Sequence, residues 1–168
     1  MDLDYNPLAV VARYQTKAPV DLDAIARDLS IPLDYVNLGE NIAGRITRDT
    51  RRSPRSGFII QINSIQHSNR QRFTLAHELS HYILHRDLIE SGIADDTMYR
   101  SGLSSYLETQ ANRMAADILM PIRLVRKRYE ALRSPELMAK EFGVSKAAMD
   151  IRLDGITGLI GQKEMFDT

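Results

Sequence analysis

The run RQRFTLAHELSHYILHRD carries His77, Glu78 and His81 in the spacing H-E-x-x-H. On a helix, residues four apart share a face and lie about 6 Å apart along the axis. Two imidazoles so placed can converge on one metal ion from successive turns. The residue after the first histidine stands beside that ion, where a carboxylate can take a proton from a metal-bound water. Zinc lowers the pKa of such a water to about 7, within reach of a glutamate at neutral pH. His77 and His81 are therefore candidate ligands and Glu78 a candidate general base. The rival reading is an amphipathic helix with scattered polar residues. With four His and eight Glu in the chain, composition alone would give the pattern roughly once in two hundred such sequences.

His81 and His85 are also four apart, but Tyr82 follows His81 and is no base near neutral pH. His77 and His85 are about 12 Å apart along the axis, too far to share an ion easily. His85 is expected to pack, or to support a ligand from behind, and His67 to be an exposed loop histidine. Zinc needs a third protein ligand and an open position. The chain has no cysteine, so the third ligand is sought among carboxylates: Glu90, Asp95, Asp96, Glu108 and Asp117. Glu108 is the best placed of these. It lies in SSYLETQANRMAADILMP with Asn112 one turn on, and Asn112 could hold the far nitrogen of a ligating imidazole. The small Ala111 and Ala115 allow another helix to approach. A capping box, Ser105-x-x-Glu108, is the competing role for the same glutamate.

These residues need a scaffold. The chain has 168 residues, 43% hydrophobic and 26% charged, with 22 basic and 22 acidic residues. That is the composition of one globular domain with a core, perhaps carrying a small appendage. Zero net charge argues against a dedicated nucleic-acid binder. The absence of cysteine fits a reducing, cytoplasmic setting. The N-terminus reads as no signal peptide, and no segment approaches a membrane span.

NPLAVVARYQ reads as a helix with Asn6 as cap and Pro7 at its first position. VDLDAIARDLSIP reads as a second, burying Leu22, Ile25, Ala26 and Leu29. GRITRDT and GFIIQIN read as two antiparallel strands joined by RRSPRSG. SNRQRFTLAHELSHYILH is a long helix, and residues 86–102 an irregular connection that could act as a lid. The Glu108 helix, with a core stripe of Met114, Ile118 and Leu119, stops at Pro121. A basic helix, IRLVRKRYEALR, follows as a solvated face. SPELMAKEFGVSKAAMDIRL then reads as a helix-turn-helix-like pair, with Leu137, Met138, Phe142, Val144, Ala147 and Met149 as its core. Gly143 makes the turn and Ser145 caps the second helix. The tail after Gly155 reads as frayed. The fold class is α+β, with helices around a small antiparallel sheet. Residues 1–121 form the core unit, and residues 122–168 a helical region packed on it.

The two central runs, RQRFTLAHELSHYILH and ETQANRMAADILMP, closely resemble the ImmA/IrrE family of bacterial zinc metallopeptidases. The resemblance extends from about Pro19 to Leu153, through PVDLDAIARDLSI, IQIN and LMAKEFGVSKAAMDIRL. It implies a zincin-like domain, with His77, His81 and Glu108 as ligands of one Zn²⁺ and Glu78 as the catalytic glutamate. It also implies action on a protein partner, a helix-turn-helix repressor or an antitoxin encoded nearby. Ser80 stands where the family usually has Gly; serine is small and should be tolerated. Tyr99 and Tyr106 are candidate oxyanion donors, each with ordinary packing as the plainer role. The strand Gly57–Asn63 could offer an edge to an extended substrate. Two other readings stand beside proteolysis. One is a toxin or regulatory module acting through partner contact alone. The other is DNA binding by the C-terminal pair, where eight basic residues face four acidic ones between Arg123 and Arg152.

Overall fold

The computed structural model describes residues 6–52, 54–91 and 103–166. The chain opens with α1 (Pro7–Tyr14), where the Asn6 side chain accepts a hydrogen bond from the Leu8 N–H and Pro7 occupies the first turn. Helix α2 (Leu22–Asp28) is capped by Asp21 and buries Leu22, Ala24, Ile25 and Ala26. Its exit is a left-handed Ser30, at φ 58°, which ends the helix before Pro32.

Three strands follow: β1 (Leu33–Val36), β2 (Gly44–Arg48) and β3 (Phe58–Asn63). Their order is β1-β3-β2. The expected hairpin is present, with Gly44 opposite Ile62 and Arg48 opposite Phe58. The sheet is not purely antiparallel, however, because β1 runs parallel to β3, with Leu33 opposite Ile60. This also corrects the expectation that β3 offers a free edge: β3 is the central strand, paired on both sides. Its near-continuous burial, with only Gln61 partly exposed, is what a strand covered on both faces requires. Fully buried Asn63 pins the loop that leads into β2. Its amide nitrogen donates to the carbonyls of Gly39 at 2.6 Å and Ile42 at 2.7 Å.

Helix α3 (Ser68–Glu90) has 23 residues. His67 is the exposed loop histidine expected before the helix and also caps it, with Nδ1 accepting from the Asn69 N–H at 3.2 Å. The helix continues through Arg86–Glu90, which sequence periodicity left in the connection; Ile89 packs against the core there. Helix α4 (Leu103–Leu119) lies against α3. Next come α5 (Ile122–Leu132), α6 (Pro135–Phe142) and α7 (Lys146–Phe166). The backbone of α7 runs on through Gly155 rather than fraying there.

One hydrophobic cluster joins these elements. It contains Val20, Ile25, Leu29, Ile60, Leu79 and Ile118 together with Met138, Phe142, Val144 and Met149. The C-terminal pair therefore shares the core of the HELSH helix. Gly143, at φ 65°, closes the α6–α7 turn, and a side chain there would meet Arg72 Nε at 2.7 Å. Arg72 in turn donates to the Val20 carbonyl at 2.9 Å. Leu137, 53% exposed, and Ala147, also exposed, depart from the expected core. Several of the basic residues in this region are paired: Arg128 with Glu141, Lys146 with Asp150, and Arg152 with Asp117, all within 2.8 Å.

Candidate metal centre

Helix α3 carries His77, Glu78 and His81 on the side that faces β2 and α4. Together these walls enclose an open cleft of about 790 Å³. The floor is α3, one side is Gly44–Ile46 of β2, and the other is Leu107, Glu108 and Asn112 of α4. Two close approaches shape it. Gly44 sits against α3 so tightly that a Cβ would lie 2.5 Å from the Thr74 methyl. On the opposite side, Ala111 and Ala115 are fully buried, which lets the α4 backbone come near α3.

His77 Nε2 lies 3.2 Å from Glu108 Oε2, and His81 Nε2 lies 3.2 Å from Glu108 Oε1. The two Nε2 atoms are 3.0 Å apart. The three residues offer ligand atoms that all fall within 4.8 Å of one another. Donor atoms about 2.0–2.1 Å from a tetrahedral zinc stand ~3.3 Å apart, so the spacing fits that ion. The donor set fits as well. His77 Nδ1 is 3.0 Å from Asn112 Oδ1. An amide oxygen only accepts, so Nδ1 carries the hydrogen and Nε2 presents its lone pair to the cluster. His81 Nε2 and the two Glu108 oxygens converge on the same space, a set of nitrogen and oxygen donors that suits a zinc ion.

Glu78 is 8% exposed. Its pKa is pushed up to about 7, first by burial and then by the Glu108 carboxylate, while a hydrogen bond from the Ile46 backbone acts in the opposite direction. Burial, with His77 and His85 beside it, holds the His81 imidazole neutral, its pKa pushed down to about 3. A neutral imidazole is the form that binds a metal.

The other expected residues are placed as follows. The α4 helix already begins at Leu103, so Ser105 lies inside it and cannot form the N-terminal capping box with Glu108. Asp117 pairs with Arg152 at 2.8 Å, away from the cluster. Tyr106 is 61% exposed, and its hydroxyl meets Gln110 Nε2 at 3.1 Å rather than lining the cleft. Tyr99, Asp95 and Asp96 lie outside the described residues. Ser80 is buried and donates to the Ala76 carbonyl at 2.7 Å, a local bond that lets it stand in the helix. Sequence reasoning did not pick out Gln110, whose Oε1 is 3.0 Å from Nε2 of the buried His85. His85 Nδ1 is in turn 3.1 Å from His81 Nδ1. No local pattern signals Gln110, because its partner comes from another helix.

The IrrE N-terminal-like domain family, Peptidase M78, matches residues 38–154. The chain is 42% identical over 67 residues to the radiation response metalloprotease IrrE of Deinococcus deserti. It is 44% identical over 63 residues to the protein of the same name from Deinococcus radiodurans. Those stretches cover 40% and 38% of this chain, but only 24% and 19% of the two relatives. A solved structure described as a Mycobacterium tuberculosis transcriptional regulator aligns with a TM-score of 0.61 at 20% identity. The alignment covers 88% of this chain and 45% of that one, a likeness of fold. By the span of its family match and the motifs that carry it, the chain belongs to the IrrE N-terminal-like Peptidase M78 family, the ImmA/IrrE group.

Proposed function

We propose that the protein is a zinc-dependent endopeptidase that cleaves a regulatory protein inside the cell. The observation that carries this reading is the convergence of His77, His81 and Glu108, with Glu78 buried beside them, at the floor of an open cleft. His77, His81 and Glu108 would hold the ion. Bound there, zinc supplies Lewis acidity, polarising a peptide carbonyl and lowering the pKa of water. Glu78 accepts a proton from the attacking water and returns it to the amine nitrogen as the C–N bond breaks. Asn112 holds the His77 ring in its ligating orientation.

The cleft wall suggests how a substrate is held. Strand β2 is an outer strand of the sheet, and its Gly44–Ile46 stretch borders the cleft. An extended peptide could add alongside β2 through main-chain hydrogen bonds. Substrate binding along β2 takes the place of the role first expected for β3. The relatives named above are metalloproteases of a radiation response, in line with a regulator as target. A helix-turn-helix repressor or an antitoxin encoded nearby is the specific substrate we propose. DNA recognition by α5, α6 and α7 is disfavoured, since Arg128, Lys146 and Arg152 are engaged by carboxylates.

Co-incubation with the repressor of a neighbouring gene tests the reading. The wild-type protein with zinc should cleave it, and Glu78→Gln should reduce cleavage by at least ~100-fold while zinc remains bound. An effect on the repressor that survives Glu78→Gln would instead assign the action to partner contact.

A further inference from the structure

His85 is 5% exposed, ligates nothing in the cluster, and takes no part in the proton transfers assigned to Glu78. We infer that His85 and Gln110 are positioning residues: they form a relay that fixes the tautomer of His81 and turns its Nε2 lone pair toward the metal. The inference rests on the zinc-site reading above.

The relay follows from counting donors and acceptors. Gln110 presents Oε1 to His85 Nε2 at 3.0 Å, while its amide nitrogen donates to the Tyr106 hydroxyl at 3.1 Å. An amide oxygen only accepts, so His85 Nε2 carries the hydrogen. A neutral imidazole with its hydrogen on Nε2 has a lone pair on Nδ1. That lone pair faces His81 Nδ1 at 3.1 Å, so His81 Nδ1 carries the hydrogen between them. His81 Nε2 is then a lone pair, directed at the space it shares with His77 Nε2 and Glu108. In the reverse pattern the Gln110 amide is turned over, its nitrogen donating to His85 Nε2 and its oxygen accepting from the Tyr106 hydroxyl; His81 Nε2 then carries the hydrogen and has no lone pair for a metal ion.

The arrangement parallels that of His77, whose far nitrogen is held by Asn112. Helix α4 thus supplies three things: the carboxylate ligand Glu108, the acceptor behind His77, and the acceptor that orients His85 behind His81. Docking of α4 on α3 both completes the ligand set and selects the tautomer of each imidazole. A histidine that only filled space would not need its Nδ1 aligned on the Nδ1 of a ligand.

Zinc affinity, measured by chelator competition, and the visible spectrum of the Co²⁺-substituted protein test the relay without reference to activity. The variants are His85→Phe, His85→Asn and Gln110→Leu, with circular dichroism as the check of fold. Phenylalanine keeps the ring but offers no acceptor, and its zinc Kd should rise about 10–100-fold with a shifted Co²⁺ spectrum. Asparagine places an oxygen near the position of Nδ1 and should restore affinity to within about threefold of wild type. Gln110→Leu, at a partly exposed site, should weaken binding by a smaller factor. Unchanged affinity and spectrum in His85→Phe would overturn the relay, as would equal losses in the Phe and Asn variants. If His85→Phe does not fold, unchanged affinity in Gln110→Leu overturns it. A folded wild type that binds no zinc would overturn the metal-site reading itself, and the relay with it.

Discussion

Glu78 makes the chemistry measurable one residue at a time. Its carboxyl is raised from 4.5 to about 7 by burial and by Glu108, so the metal-free fold prefers it neutral. The resulting stabilisation is fully present below pH 4.5 and is lost as pH rises through about 7, up to about 3 kcal/mol in all. Glutamine stays neutral throughout. Urea denaturation of the metal-free proteins should therefore find Glu78→Gln equal to wild type near pH 4 and more stable at pH 8; an offset independent of pH would contradict the shift. A bound cation opposes it, and zinc should stabilise the wild type through linkage. The HELSH triad was legible in the sequence because the i, i+4 relation is local to one helix. Glu108 and Asn112 were legible for the same reason on the next helix, and the family resemblance favoured Glu108 over its capping role. Gln110 was not, since its contact with His85 exists only once the two helices dock.

At the scale of elements, the site depends on β2 lying close to α3. Gly44 permits that approach, because any side chain there would meet Thr74 and the Gln61 carbonyl. Gly44→Ala should move the strand away from Thr74 and disturb the Ile46 backbone contact to Glu78. The expected cost is about 1–3 kcal/mol, read as a lower urea midpoint together with weaker peptide cleavage; unchanged values in both would show that β2 has room to spare. The helices were readable from caps, periodicity and prolines. The sheet was only half readable. Four residues, Leu33–Val36, carry little pattern, and their pairing with Ile60–Asn63 is parallel and distant in sequence. Missing that strand is what made β3 look like an edge. Helix α3 was read one turn short because Arg86 and Asp87 are polar, although Ile89 packs against the core beyond them.

The molecule as a whole is built around one apolar cluster that runs from Val10 to Ile156. Phe142, fully buried, lies in the helix-turn-helix-like pair yet shares that cluster with Leu79, which stands between His77 and His81. Phe142→Ala should cost about 3–5 kcal/mol and lower a single unfolding transition seen alike by circular dichroism and by zinc release. Loss of α6 and α7 in a separate early step, with zinc retained, would show that they are an independent unit. Among the described residues no helix is long and apolar enough to cross a membrane.

On the proposed reading, HELSH and Glu108 build one metal site from two helices. The most direct measurement is the zinc content of the purified protein after zinc addition, with wild type beside His77→Ala and Glu108→Ala. About one zinc per wild-type chain is expected, with loss in both variants, each still folded. A folded wild type that takes up no zinc would contradict it, and so would a Glu108→Ala variant that holds zinc as tightly as the wild type.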